Sequence, residues 1–106
     1  MIEISIRSLP SGGISGFCVT GHSGTAKPGE DIVCAGVSSL AQTALLGVGE
    51  YLHREVDYSV ASGELRMMLK DDPDELTEAI LETMVLGMEE IQRLYPKAVR
   101  ITREVK

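Results

Sequence analysis

The sequence predicts an α+β domain in which a largely antiparallel sheet carries two helices on one face. Period-two alternation of apolar residues marks five short strands, and apolar residues at three- and four-residue steps mark two long helices. The strands come in hairpins and each pair is followed by a helix, which favours segregated layers over a parallel sheet. The order is β-β-α-β-β-α-β. A chain of 106 residues has the size of a single domain, which we take to span residues 1–106.

The first half of the chain predicts a hairpin followed by a helix. Alternate isoleucines mark a strand over residues 2–7, and a second strand covers residues 14–20, with a glycine-rich turn between them. Asp31 is the expected N-cap of the first helix, because its carboxylate can accept a hydrogen bond from a first-turn N–H. The apolar positions of this helix are Val33, Val37, Leu40, Ala41, Ala44, Leu45, Val48 and Leu52.

The second half repeats this arrangement. Residues 55–60 and 64–69 alternate as two strands, and residues 98–105 form a last strand. Between the strand over residues 64–69 and the last strand, Asp72 is the expected N-cap of the second helix, with Pro73 at the first helical position. The apolar stripe of this helix is expected to consist of Leu76, Ile80, Met84, Met88, Ile91 and Tyr95.

Composition excludes several functional classes. The formal charge of −6 argues against a nucleic-acid-binding protein, which needs a basic face to neutralise phosphates. We expect no membrane helix, because no apolar run approaches the roughly 20 residues that one needs, and no signal peptide, because the N-terminus lacks its apolar segment. We therefore expect a cytoplasmic protein with no membrane partner. The two cysteines and two histidines do not follow zinc-ligand spacing, so no metal and no cofactor are expected.

One segment carries residues that could perform chemistry. His22 follows the second strand, and Cys34 would lie in the first turn of the first helix. Unpaired N–H groups and the helix dipole at that place stabilise a thiolate, which a nearby histidine favours further. Cys34 would be the nucleophile, and His22 would protonate the leaving amine. The loop that holds this pair is expected to be flexible and comprises Gly21, Ser23, Gly24, Thr25, Ala26, Lys27, Pro28, Gly29 and Glu30.

Spacing alone leaves structural interpretations open. A single buried cysteine usually acts as a small hydrophobe, and a histidine in a loop is usually a surface residue. Asp31 could cap the helix, orient the histidine, or do both. Ser38, one turn after Cys34 on the same helix face, is a candidate packing residue that supports the site. Cys18 is expected to be structural, although a redox pair with Cys34 is an alternative if the two sulfurs approach each other.

The segment also resembles a known family. The pattern Gly-His, a variable stretch and then Gly-x-Asp-Ile-Val-Cys-Ala-x-Val-Ser is similar to the signature of the bacterial ribosomal-processing cysteine proteases, the Prp family. The resemblance covers the whole chain in length and element order. The residues that carry it are Gly21, His22, Gly29, Asp31, Ile32, Val33, Cys34, Ala35, Val37 and Ser38.

This resemblance implies a function that spacing could not show. Members remove the N-terminal extension of a large-subunit ribosomal protein, the twenty-seventh of its set, by cleaving after Phe in an apolar segment. It implies that Cys34 is the nucleophile, that His22 is the general base and acid, and that the protein is a homodimer. It also implies that the loop between His22 and Cys34 is mobile and helps to receive the substrate peptide. An acidic protein would attract a basic ribosomal partner through long-range charge. The alternative is a non-enzymatic ribosome-associated binding or assembly factor, with the loop as its docking element.

Overall fold

The computed structural model describes residues 1–21 and 28–106, with the side chains of residues 28–31 left out of the description. Its five-stranded sheet has the order β3-β4-β2-β1-β5. All neighbouring strands are antiparallel except β1 and β5, which are parallel. This confirms the predicted α+β class and the order of elements. The strands are β1 (Ile2–Ser8), β2 (Ile14–Thr20), β3 (Val56–Ala61), β4 (Glu64–Leu69) and β5 (Val99–Val105).

Two antiparallel helices cover one face of the sheet. Helix α1 spans Pro28–Leu46 and continues into a π turn over Gly47–Tyr51, and α2 spans Glu75–Leu94. Small residues let the helices approach closely: a Cβ on Gly36 would lie 3.2 Å from the side chain of Ile91, and one on Gly87 would lie 3.0 Å from that of Leu40. The density of small residues in α1 therefore has a packing reason, which offsets the helix-breaking tendency of glycine.

The core lies between this helix layer and the sheet. Strand β1 buries alternate side chains against the helices, as its period-two pattern predicted, whereas β2 is buried continuously over its first four residues, Ile14 to Phe17. Phe17, the single phenylalanine, is 2% exposed, and Met67 of β4 is fully buried beside it. The other fully buried large side chains include Ile4, Ile6, Ile14, Val33, Val37, Val48, Leu81, Met88 and Val99.

The start of α2 differs from the prediction. Asp74, not Asp72, is the N-cap: its carboxylate accepts hydrogen bonds from the N–H groups of Leu76 and Thr77, at 3.0 and 2.9 Å. The Thr77 hydroxyl accepts one in return from the Asp74 N–H, so Pro73 precedes the cap instead of starting the helix. The buried face is correspondingly rotated from the predicted stripe, of which Met84 and Met88 are buried. The buried residues of α2 are Thr77, Leu81, Met84, Val85 and Met88.

The apolar segment that begins in α1 is longer than the sequence predicted. The segment Ile32–Tyr51 is 20 residues long with a mean hydropathy of 1.6, so by length and composition it could cross a membrane. The expectation that no such run exists is wrong. The core helix of a soluble protein meets the same criterion, and this segment contributes Val33 and Val37 of α1 and Val48 of the π turn to the core. Its apolar character therefore has a structural explanation in the packing of the domain.

Candidate active site

Cys34 lies in a cavity between α1, the first residue of β1, the end of β2 and the β3–β4 hairpin. The cavity has a volume of about 210 Å³, below the roughly 300–1,000 Å³ of sites that enclose a whole small molecule. Its size therefore suits part of a larger ligand, such as one side chain of a peptide. It is lined by Ile2, Val19, Gly21, Cys34, Val37, Ser38, Ala41, Gln42, Val60, Ala61, Gly63, Glu64 and Leu65.

The position of Cys34 in α1 differs from the prediction. The helix begins at Pro28, so Asp31 lies inside it and is not its N-cap, and Cys34 is the seventh helical residue instead of a first-turn residue. Proline suits the first position of a helix, because its fixed φ is helical and the N–H it lacks would have no partner there. The side chain of Asp31 falls outside the described residues, so an orienting role for it stays a prediction.

This shift changes which groups could assist a reaction. In an α-helix only the first N–H groups are left without an internal acceptor, so the N–H of Cys34 is used by the helix and is a poor oxyanion donor. The N–H groups that a helix leaves without an internal acceptor belong to its first turn, which here begins at Pro28. Because Cα–Cβ bonds tilt toward the N-terminus of a helix, the Cys34 side chain leaves the backbone in that direction.

Ser38 and Gln42 continue the row that begins with Cys34 along α1. Residues four apart lie on one helix face, and all three line the cavity. The Gln42 side-chain amide donates a hydrogen bond to the Ser38 hydroxyl at 2.8 Å. This pair gives one wall of the cavity its polar groups, and Glu64 adds a carboxylate to the lining. Sequence reasoning found Ser38 but missed Gln42, although the four-residue step from Ser38 could have indicated it.

Gly21 places the end of β2 at the rim of the same cavity. Its φ of +86° lies in the left-handed region, which favours glycine. Its N–H donates to the carbonyl oxygen of Gly63 at 3.0 Å, which ties the strand end to the β3–β4 turn. A Cβ at this position would lie 2.5 Å from the carbonyl oxygen of Met1. The chain therefore leaves the described part of β2 beside the cavity that contains Cys34.

Several predicted site residues cannot be placed. His22 and the loop residues Ser23, Gly24, Thr25, Ala26 and Lys27 lie outside the described residues. Pro28, Gly29 and Glu30, predicted to belong to the flexible loop, form the first turn of α1 instead. The pairing of His22 with Cys34 thus stays a prediction.

Cys18 lies on the opposite face of the sheet from Cys34. Its neighbour Phe17 is buried under the helices, so alternation along β2 directs Cys18 to the other face, where it lines a cavity with Ser5 and Arg66. Burial, and secondarily the Glu64 carboxylate, raise the pKa of the Cys18 thiol, while Arg66 opposes them. With the sheet between the two residues, a Cys18–Cys34 disulfide is incompatible with this fold, and the redox-pair alternative is wrong.

Comparison with protein families gives a match along nearly the whole chain. The family described as cysteine protease Prp matches residues 1–100. Ribosomal processing cysteine protease Prp of Bacillus subtilis is 30% identical over 111 residues, which cover 99% of each chain. The protein of the same name from Staphylococcus aureus is 25% identical over 104 residues, covering 95% of this chain and 97% of its own.

Solved structures share the fold. Prp of Staphylococcus aureus in complex with a substrate peptide superposes with a TM-score of 0.90 at 22% identity, covering 98% of this chain and all of that one. The same protease with a covalently linked product peptide gives a TM-score of 0.87 at 23% identity, with the same coverage. A Streptococcus mutans protein gives a TM-score of 0.87 at 23% identity, covering 100% of this chain and 96% of that one.

Proposed function

Because this chain belongs to the family of cysteine proteases Prp, we propose that it is a cysteine endopeptidase that processes a ribosomal protein precursor. The observation that carries the proposal is the place of Cys34, half-buried in the wall of a cavity sized for one side chain. A thiol at such a place can reach the backbone of a peptide whose side chain fills the cavity. The family's Gly-His and Asp-Ile-Val-Cys pattern supports the same assignment.

The proposed reaction uses Cys34 and His22 as a pair. The thiolate of Cys34 attacks the scissile carbonyl carbon, and the resulting oxyanion is stabilised by backbone N–H groups. His22 as an imidazolium then gives a proton to the leaving amine, which releases the C-terminal fragment and leaves a thioester on Cys34. A water molecule, deprotonated by His22, attacks the thioester carbonyl carbon. The C–S bond then breaks, which releases the N-terminal fragment with a new carboxyl group and restores the thiolate of Cys34 beside the protonated His22. Gly21 supports this assignment, because it fixes the backbone directly before His22 at the cavity rim.

The proposed substrate is the N-terminal extension of a large-subunit ribosomal protein, the twenty-seventh of its set, cut after Phe. Val19, Val37, Ala41 and Leu65 give the cavity apolar walls, which suit an aromatic side chain. Ribosomal proteins are basic, and the net charge of −6 favours their approach. The relatives with curated names come from bacteria, so we propose a bacterial cytoplasmic enzyme.

We also propose that the enzyme is a homodimer, as the family resemblance implies. Leu46 of α1 and Leu86 of α2 are large apolar side chains exposed on the helices. A partner that covered them would remove apolar surface from water, which stabilises association. Sedimentation velocity of the purified protein tests this proposal, and a monomer at all micromolar concentrations would contradict it.

Mass spectrometry of the precursor after incubation with the protein tests the proposed reaction. We expect one new N-terminus, directly after a Phe, with the wild-type protein, and no cleavage with either Cys34→Ala or His22→Ala. Cys18→Ala is the matched control, since it removes a thiol from the opposite face of the sheet and should cleave normally. Unchanged cleavage by Cys34→Ala would overturn the mechanism. An uncut precursor that still binds the wild-type protein would instead indicate the non-enzymatic assembly factor.

A further inference from the structure

We propose that the open edge of β3 binds the substrate peptide as an added strand that leads into the cavity at Cys34. We call this surface the edge groove and define it by Tyr58 and Val60 of β3 together with Cys34 and Gln42 of α1. The inference rests on the proposed function, because it states how the same peptide is held.

The hydrogen-bonding pattern between β3 and β4 shows which backbone groups of β3 face its open edge. In an antiparallel pair, alternate residues exchange hydrogen bonds with the neighbouring strand. The Lys70 N–H donates to the Glu55 carbonyl oxygen at 3.2 Å, so the odd-numbered residues of β3 direct their polar backbone groups to β4. The even-numbered residues Val56, Tyr58 and Val60 direct theirs outward. Since β3 ends the strand order, no strand of the described chain pairs with this edge.

The side chains on the same residues are apolar and exposed. Tyr58 and Val60 are 59% and 53% exposed, whereas their cross-strand neighbours Met67 and Leu65 are 0% and 6% exposed. All four side chains point to the helix-bearing face, so the helices cover β4 but leave β3 open. Proteins usually protect an edge strand with lysine, proline or a covering segment. Here an edge that no described strand or helix covers, with apolar side chains, is suited to strand addition.

The edge groove is continuous with the candidate active site. Val60 and Ala61, at the end of β3, line the same cavity as Cys34 and Ser38. A peptide strand paired with Tyr58 and Val60 would therefore run directly into that cavity. Side chains of an extended peptide alternate, so those on the helix-bearing side would contact Tyr58 and Val60 and then enter the cavity. The edge groove would therefore bind an extended peptide that has apolar or aromatic residues at alternate positions.

Amide hydrogen exchange measured by NMR tests the pairing without requiring cleavage. The full-length Cys34→Ala variant is mixed with a synthetic peptide that copies the N-terminal extension of the ribosomal protein. We expect exchange of the outward N–H groups of Tyr58 and Val60 to slow by about tenfold or more as they become hydrogen-bonded. The N–H of Val105 is the internal control. It faces the open edge of β5, because Lys106 N–H and Ala98 carbonyl are the groups that pair with β1.

Two proline substitutions, one at each edge of the sheet, test the same surface through the affinity for the peptide. Val60→Pro removes one outward N–H but no bond to β4, a substitution that edge strands tolerate. We expect Kd for the peptide to rise about tenfold or more, measured in the Cys34→Ala background, with the fold checked by circular dichroism. The matched control is Val105→Pro, which removes an outward N–H from the far edge and should leave Kd unchanged.

The outcomes separate this inference from the proposed function. Equal Kd values for the two proline variants would overturn the edge groove, as would a bound peptide that leaves Tyr58 and Val60 exchanging freely, or a peptide that does not bind. If Val60→Pro instead converts a dimer to a monomer with no change in Kd, the edge pairs two copies of the chain and the inference is wrong. Failure of the wild-type protein to cleave the precursor would reject the proposed function. The amide exchange of Tyr58 and Val60 would still show whether the peptide binds at the edge groove.

Discussion

Replacing Gly21 with alanine tests how the fold holds the chain at the rim of the cavity. Its φ of +86° costs an L-residue about 1–2 kcal/mol. The added Cβ would also lie 2.5 Å from the Met1 carbonyl oxygen, so the backbone directly before β1 must shift, at a further cost of about 1–3 kcal/mol. We therefore expect Gly21→Ala to lower the free energy of unfolding by about 2–5 kcal/mol. Urea denaturation followed by circular dichroism measures this loss.

Gly12→Ala is the matched control for this prediction. Gly12 has a φ of +107°, but a Cβ there would meet no atom within 4 Å. Its substitution should therefore cost only the backbone term of about 1–2 kcal/mol. We also expect Gly21→Ala, but not Gly12→Ala, to lower kcat/KM, because Gly21 precedes His22 at the cavity. Equal loss of stability and equal activity in the two variants would refute the reasoning that the contact with Met1 fixes this strand end.

Three further predictions concern the sheet, the core and a helix cap. Glu64→Gln should lower the pKa of the Cys18 thiol and speed its alkylation in the Cys34→Ala background, and Arg66→Gln should slow it; identical rates would contradict the electrostatic assignment. Met67→Ala should destabilise the fold by about 2–5 kcal/mol in urea denaturation, because this side chain is fully buried. Hydrogen bonds from backbone N–H groups, first that of Thr77, lower the pKa of the Asp74 carboxyl. The Asp74 carboxylate therefore stabilises the fold at pH values above its pKa in the unfolded chain, and this stabilisation is lost as the pH falls through its lower pKa in the folded protein. The difference in free energy of unfolding between the wild-type protein and Asp74→Asn should therefore shrink in acid.

The fold was predictable because its strands carry clear alternation and its hairpins have glycine-rich turns. The ends of the helices were not. Asp31 and Asp72 are both plausible caps in sequence, but helix starts depend on which hydrogen bonds the folded chain completes. At α2 the reciprocal bonds between Asp74 and Thr77 decide the start. At α1 the helix begins earlier, at Pro28.

The site was predictable in part for a similar reason. Cys34 could be singled out because a cysteine near a helix start has a defined chemical use. The cavity beside it could not be anticipated, since Val60 and Gly63 reach it only through the pairing of β3 with β4. The open edge of β3 was missed for the same reason, because it depends on which elements lie next to that strand. Gln42 was missed although its four-residue step from Ser38 places it on the same helix face.

Covalent trapping tests most directly the claim that Cys34 is the nucleophile. The protein is treated with a peptide chloromethyl ketone that ends in Phe, which forms a thioether with loss of chloride, and the modified residue is located by peptide mapping. We predict one equivalent of label on Cys34, none on Cys18, and loss of precursor cleavage in proportion to labelling. Label on Cys18, or full cleavage by protein that is completely labelled on Cys34, would contradict this account.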